Sequence, residues 1–212
     1  MIEIKQFYNY VVETAPSALP LSLAETRTHL RITDSCEDTY IKLLIQTVRD
    51  FFEIFTNRTL INTTYKGFLD QFPGTFVYPY GYCCEDGILI RKSKVSSITS
   101  IKYLLDSVLT TWDNSNYYVS ESNMYPNIFL EDGKSYPTTD DRIQAIEIIF
   151  VAGYGATNTD IPSDIKMALL NHIAFLYENR GDCGGDGTCE LPCATKTIYN
   201  KYRIRSIAWG DC

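Results

Sequence analysis

The stretch PSDIKMALLNHIAFLYENR, residues 162–180, decides the fold of this chain. Pro162 suits the first position of a helix, where its missing N–H costs no hydrogen bond. Ser163 and Asp164 follow in the first turn, where the helix dipole favours negative charge, and Gly181 suits a left-handed C-terminal cap. Most side chains between these ends are apolar, and a helix that is apolar nearly all round is buried on most sides. The stretch therefore predicts the central helix of a soluble core, because its charged residues argue against a membrane span.

The composition narrows the class of protein. The 212 residues carry a formal net charge of −7, seven cysteines and 45% hydrophobic residues. This hydrophobic content is too high for a disordered chain, and the length suffices for one large domain. The negative charge argues against non-specific binding of nucleic acid, although an acidic surface could line a passage for DNA without adhering to the phosphates. The N-terminal residues do not have the pattern of a signal peptide, so we expect cytoplasmic synthesis and free thiols.

Helices are predicted towards both ends of the chain. Ser22 and Glu25 have the spacing of a capping box, which opens a short helix over residues 23–31. A second helix is predicted from about residue 37 to 56, and a short terminal helix over residues 194–203. Apolar residues recur in the second helix at steps of three and four, which indicates one buried side. That side consists of Ile41, Leu44, Ile45, Val48, Phe52 and Phe55.

The residues between these helices carry the patterns of β-strands. The run IEIIFV, residues 146–151, predicts a strand buried on both faces, and Gly153 and Gly155 end it. The order of elements predicts an α+β fold, in which N- and C-terminal helices form a bundle with an inserted antiparallel β-sheet region. We expect a single domain over residues 1–212, with a helical body at 1–59 and 160–212 and a β-rich insertion at 60–159. Further strands are predicted near residues 63–69, 88–90, 95–105, 117–119 and 128–130.

The sequence carries no recognisable catalytic motif. His29 and His172 lie on separate predicted helices, and a lone histidine at helical spacing is most often packed or partly exposed. Asp140 and Asp141 are acids in a predicted loop, and nothing in the sequence positions them for chemistry. We therefore predict no catalytic residues and no cofactor.

Three cysteines fall close together near the C-terminus, at Cys183, Cys189 and Cys193. Zinc sites usually need two close pairs of ligands, and here the first spacing is too long and no second pair or histidine accompanies it. We predict no metal site and favour thiols in a glycine-rich loop, with a disulfide formed after cell lysis as a further alternative.

The last residues, 196–212, form a basic and aromatic segment on an acidic protein. Arginine, tyrosine and tryptophan dominate the hot spots of protein interfaces, so the segment is a candidate binding surface. The competing interpretation is a terminal helix packed on its own core, with its lysines and arginines solvated. The candidate interface residues are Lys196, Tyr199, Tyr202, Arg203, Arg205 and Trp209.

The order of several segments resembles the head–tail connector (adaptor) proteins of long-tailed bacteriophages and related prophages. Residues 21–32 (LSLAETRTHLRI) resemble the opening helix of that family. Residues 49–61 (RDFFEIFTNRTLI) resemble its second helix, which commonly ends in Thr-Gly-Arg-x-Leu; Asn57 stands here in the place of the glycine. The resemblance covers nearly the whole chain from residue 21, and the cysteine-rich loop 181–190 departs from it. The other similar segments are DQFP (70–73), IFVAGYG (149–155), IP (161–162), YENR (177–180), LP (191–192) and YR (202–203).

The resemblance implies a non-enzymatic virion protein at the head–tail junction, assembled in the host cytoplasm. It implies a ring, usually of twelve subunits, that lies between portal and tail and extends the DNA channel. The implied partners are the phage portal protein, a tail or stopper (neck) protein and further copies of the chain. Genomic DNA would pass without specific binding, and no membrane is involved.

The resemblance also implies that the terminal segment docks on the portal. Deletion of residues 196–212 is then expected to leave a folded monomer that no longer binds the portal. The alternative function is a carbohydrate- or protein-binding module, carried by the tyrosine-rich stretch 76–82 of the β-rich insertion.

Overall fold

The computed structural model describes residues 10–73, 87–90, 92–120, 126–180 and 191–204. These residues fall into two compact units. One contains residues 10–15 together with Thr63–Ala152 and carries the sheets; the other contains Pro16–Asn62 and residues 153–180 and 191–204 and carries the helices. The predicted α+β class, helices with an inserted antiparallel sheet region, is confirmed. That the whole chain acts as one domain stays a prediction.

The helical unit contains four α-helices whose starts and ends follow local signals. The predicted capping box is present, since the Ser22 hydroxyl accepts from the Glu25 amide at 3.1 Å and the Ser22 amide donates to the Glu25 carboxylate at 3.0 Å. Two amides that the first turn would leave unpaired are thereby satisfied. The helices are α1 (Leu23–Leu30), α2 (Asp38–Thr56), α3 (Ser163–Glu178) and α4 (Cys193–Tyr202).

Helix α3 is the centre of the helical unit, because it packs against α1, α2 and α4. Pro162 precedes its first helical residue, and the predicted cap at Gly181 lies outside the described residues. The expectation of burial on most sides is only partly right: Met167 is half exposed although the helix is apolar nearly all round. The predicted core side of α2 is buried, except that Phe55 is partly buried. The buried residues of α3 are Ile165, Ala168, Leu169, His172 and Ile173.

Helix α2 ends at a residue with left-handed backbone geometry. Asn57 has φ 56° and ψ 25°, a conformation that glycine adopts freely and that asparagine tolerates better than most other residues. This explains why Asn57 can stand where the resembling family commonly has glycine. The next strand along the chain, Thr63–Leu69, belongs to the sheet unit.

The sheet unit contains a five-stranded antiparallel sheet and a three-stranded one. The larger sheet has the order β1-β2-β8-β4-β5, and the smaller has the order β3-β7-β6. Neither β1 nor β5 was expected from the sequence, since both are short and largely exposed. The strands are β1 (Tyr10–Thr14), β2 (Thr63–Leu69), β3 (Ile88–Leu89), β4 (Val95–Leu105), β5 (Val108–Trp112), β6 (Tyr117–Ser120), β7 (Asn127–Leu130) and β8 (Ile146–Ala152).

Strand β8 lies at the centre of the larger sheet, between β2 and β4. Its residues alternate between fully and partly buried, so the prediction of burial on both faces is wrong. One face packs into the sheet core, where Phe150 stacks on Tyr65 at a ring-centroid distance of 5.7 Å. The strand ends at Ala152 because Gly153 follows with φ 152°, and a Cβ there would lie 2.5 Å from the Asn62 amide nitrogen.

The end of α2 provides a test of the backbone argument. Replacing Asn57 by glycine should leave the free energy of unfolding unchanged or raise it slightly, because glycine has no Cβ to strain the left-handed conformation. Replacing Asn57 by valine should lower that free energy by about 1–2 kcal/mol. Urea unfolding of the two variants measures the difference, and equal stabilities would contradict the argument.

Candidate functional site

Helix α4 carries most of the described candidate interface residues, and one of them holds the helix in the core. The side chain of Tyr199 is fully buried, and its ring lies edge-on to Phe52 of α2 with the centroids 5.0 Å apart. Its hydroxyl lies 3.1 Å from Nδ1 of the buried His172 of α3. Tyr199 is therefore a core residue of the subunit and contributes no exposed area to the surface, whereas the portal interface as a whole stays a prediction.

The same burial sets the protonation of this pair. Burial lowers the pKa of His172 to about 4, and burial also raises the pKa of Tyr199. Desolvation disfavours the charged form of both groups. His172 is thus a neutral histidine packed in the core.

The next turn of α4 is tied to the start of α3 through Asp164. The hydroxyl of Tyr202 donates to the Asp164 carboxylate at 2.9 Å, and Nζ of Lys201 lies 2.9 Å from Oδ2 of the same carboxylate. The hydrogen bond from Lys201 lowers the pKa of Asp164, and the hydrogen bond to Asp164 raises the pKa of Lys201. The ion pair is exposed, so solvent screens it and it contributes little to stability.

Beyond α4 the chain is held at the end of α2. The amide of the buried Ile204 donates to the carbonyl of Thr56 at 2.9 Å, and Nε of Arg58 donates to the carbonyl of Tyr202 at 2.6 Å. The guanidinium of Arg203 lies over the ring of Phe55, with Cζ 4.8 Å from its centroid. These contacts satisfy carbonyls that helix ends leave unpaired, and they fix where residue 204 stands.

The structure thus brings together part of the predicted interface. Lys196 and Arg203 are exposed and lie seven residues apart, about two helical turns, on α4 and directly after it. Tyr202 is partly exposed. Arg205 and Trp209 lie outside the described residues. We call the set formed by the exposed Lys196, Lys201 and Arg203 and the partly exposed Arg58 and Tyr202 the terminal surface.

Sequence reasoning missed three residues that shape this surface: Arg58, Phe55 and Asp164. A signal for Arg58 existed, because it is the arginine of the Thr-Gly-Arg-x-Leu run of the resembling family. Phe55 was assigned to the core, although it also forms a platform for Arg203. Nothing in the sequence links Asp164 to Tyr202, since that contact exists only once α3 and α4 pack together.

The other residues considered for a function from the sequence either have structural roles or lie outside the residues that the structure describes. The Asp140 carboxylate accepts from the amides of Asp106 and Ser107 at 2.9 and 2.8 Å, so it caps the turn between β4 and β5. Within the described ranges, no three His, Cys, Asp or Glu residues are arranged to hold a metal ion. Cys193 is exposed, whereas Cys183, Cys189 and the stretch 76–82 lie outside the described residues. No helix among the described residues is long and apolar enough to cross a bilayer.

The buried pair predicts a specific dependence of stability on pH. Above pH 6.5 His172 is neutral in the folded and in the unfolded chain. Below pH 6.5 the imidazole of the unfolded chain binds a proton, whereas the buried imidazole of the folded chain binds one only near pH 4. Stability is therefore fully present above pH 6.5 and is lost as the pH falls towards 4. Between pH 7 and pH 5 the free energy of unfolding should fall by about 2 kcal/mol. The side-chain amide of the variant His172→Asn can still form a hydrogen bond with Tyr199 but does not titrate. Urea unfolding at pH 7 and pH 5 should therefore show a smaller fall in the free energy of unfolding for this variant. An identical fall in both proteins would contradict the assignment of the pH dependence to His172.

Both the sequence and the fold of the chain are similar to those of known proteins. Residues 20–115 match the profile of the phage gp6-like head-tail connector proteins. The fold is similar to chains in three solved particles of a gene transfer agent (GTA), and at identities of 21–23% these likenesses establish a shared fold. The neck of an empty GTA particle computed with C6 symmetry gives a TM-score of 0.77 and 21% identity, covering 96% of this chain and 99% of that one.

The other two structures agree. The virion of a native GTA particle gives a TM-score of 0.71 and 22% identity, covering 95% and 98% of the two chains. The neck of a native GTA particle computed with C12 symmetry gives 0.66 and 23%, covering 97% and 99%. No curated protein has a significant sequence match. Residues 20–115 are thus similar in sequence to the phage gp6-like head–tail connector proteins, and the fold is similar to that of chains in GTA particles.

Proposed function

We propose that the protein is a structural subunit of the virion neck, where copies of it form a ring between portal and tail. The observation that carries the proposal is the terminal surface, which is exposed, cationic and held rigidly by the core of a connector-family fold. In this role the terminal surface binds the portal protein, and the opposite partner is a tail or stopper protein.

The rigidity of the terminal surface supports a docking role. Tyr199 and Ile204 are buried on either side of Tyr202, and Arg58 binds the carbonyl between them. A partner therefore meets side chains whose backbone is already ordered, and binding loses less conformational entropy than binding by a free tail. Arginine and tyrosine together are typical of interface hot spots.

The charge of the chain supports passage of DNA rather than binding. A net charge of −7 repels phosphates on average, whereas Lys196, Lys201 and Arg203 lie close together on α4 and directly after it. Particle necks of the same fold were solved with C6 and C12 symmetry, and we propose a ring of twelve for this chain as well. Such a ring places genomic DNA in a channel without specific contacts.

The role we propose is structural and involves no catalysis. In the described residues, the two acids and the histidines considered from the sequence have no arrangement with a nucleophile, and Asp140 is occupied by a turn. The alternative of a tyrosine-rich binding module has no specific support, because the stretch 76–82 lies outside the described residues.

The structure changes the deletion experiment that the sequence suggested. Removing residues 196–212 would remove the buried Tyr199 and Ile204, and loss of a large buried aromatic side chain alone costs about 3–5 kcal/mol. We therefore expect this deletion to destabilise the helical unit rather than to leave a folded monomer. A deletion of residues 205–212 leaves the buried anchors in place and tests Arg205 and Trp209 instead.

A charge reversal tests the portal contact without removing the core. The double variant Lys196→Glu/Arg203→Glu should weaken binding to the portal protein of the same phage at least tenfold, because the charges that meet the partner change sign. Lys134→Glu, an exposed lysine in the sheet unit, is the matched control and should bind as the unchanged protein does. Binding is measured by surface plasmon resonance after circular dichroism has shown that both variants are folded. Unchanged portal binding by the double variant would overturn the assignment of the terminal surface.

A further inference from the structure

The larger sheet ends on both sides in a short strand with exposed aliphatic side chains. Among the described residues, no strand pairs with the outer edge of β1 or of β5. Val11 and Val12 of β1 are 53% and 51% exposed, and Val108 and Leu109 of β5 are 63% and 48% exposed. Sheet edges of this kind present unpaired backbone donors and acceptors, and soluble proteins usually protect them with charge, proline or cover.

The two edges match each other in length and in the faces that they present. Both strands have five residues. Tyr10 and Val12 pair with β2 residues on the core face, where Tyr65 lies, and Val11 pairs with Lys66 on the outer face. In β5, Val108 shares the core face with Trp112, and Leu109 lies on the outer face beside Leu104. A register that aligns the strand starts therefore places Val11 next to Leu109 and Tyr10 next to Val108.

The directions of the strands suit the same pairing. Each of the four neighbouring pairs in the order β1-β2-β8-β4-β5 is antiparallel, so β1 and β5 run in the same direction. Neighbours in a ring of many subunits are related by a small rotation, which keeps strand directions nearly aligned. The β5 edge of one copy then meets the β1 edge of the next as a parallel pair, and the contact is heterologous, as a closed ring requires.

We infer that the occupant of each edge is a second copy of this chain, so that β5 of one subunit pairs with β1 of the next and the sheets continue around the ring. The inference rests on the proposed ring and deepens it by naming the surfaces that close it. Main-chain hydrogen bonds hold the strands together, and the aliphatic pairs on both faces fix the register. A symmetric pairing of β1 with β1 is the competing arrangement, and it would stop at a dimer.

A charge-swap experiment separates these arrangements. Val11→Glu places a carboxylate beside Lys66 within its own subunit and against Leu109 of the neighbour; Leu109→Lys places an ammonium against Val11 of the neighbour. Either single variant should raise the protein concentration needed for half assembly at least tenfold. The double variant Val11→Glu/Leu109→Lys should recover most of this loss, because every joint then contains a Glu–Lys pair. An equimolar mixture of the two single variants should recover as well, because an alternating ring contains Glu–Lys joints and unchanged Val–Leu joints in equal number.

The measurement is native mass spectrometry of the full chain, alone and with its portal protein, and Thr99→Lys on the interior strand β4 is the matched control. Circular dichroism checks that each variant is folded. Rings that form equally well from all variants, or a double variant that does not recover, would overturn the edge pairing and leave the proposed function standing. An unchanged protein that forms no ring, with or without portal, would overturn the proposed function and this inference together.

Discussion

The burial of Tyr199 between α2 and α3 is the interaction on which the helical unit depends. It places an aromatic ring against Phe52 and a hydroxyl against His172. Burying an aromatic side chain of this size is among the largest single contributions to a core, and the hydrogen bond satisfies two polar groups that would otherwise be costly there. Because Tyr199 is inside, the positions that follow it on α4 have fixed directions, and Lys201 and Arg203 point to solvent.

From this anchor, the terminal surface is built by short-range contacts alone. Asp164 holds Lys201 and Tyr202, Arg58 holds the carbonyl of Tyr202, and Thr56 holds the amide of Ile204. Of these contacts only the Lys201–Asp164 pair is exposed; the others are buried or partly buried. Together they order a cationic patch on a chain whose net charge is −7.

The sheet unit meets a different constraint. Its own core is closed by alternating residues of β2 and β8 and by aromatic contacts such as Phe72 with Trp112, 5.3 Å apart. Its edges are not closed, because β1 and β5 end the sheet without a further partner among the described residues. In the ring inferred above, a neighbouring copy would complete the backbone hydrogen bonds of these edges on assembly.

Local patterns sufficed for α1, α2, α3 and α4 and for most strands, because capping residues, helical periodicity and strand alternation act over a few residues. They failed for β1 and β5, whose exposed side chains give no alternation and whose pairing with β2 and β4 depends on distant residues. The sequence by itself determined the fold class, the family resemblance and the basic, aromatic character of the C-terminal residues. Only the tertiary structure decided that Tyr199 belongs to the core and that Arg58 and Asp164 belong to the surface. Side chains far apart in the chain acquire their neighbours only when helices pack, and burial is a property of that packing.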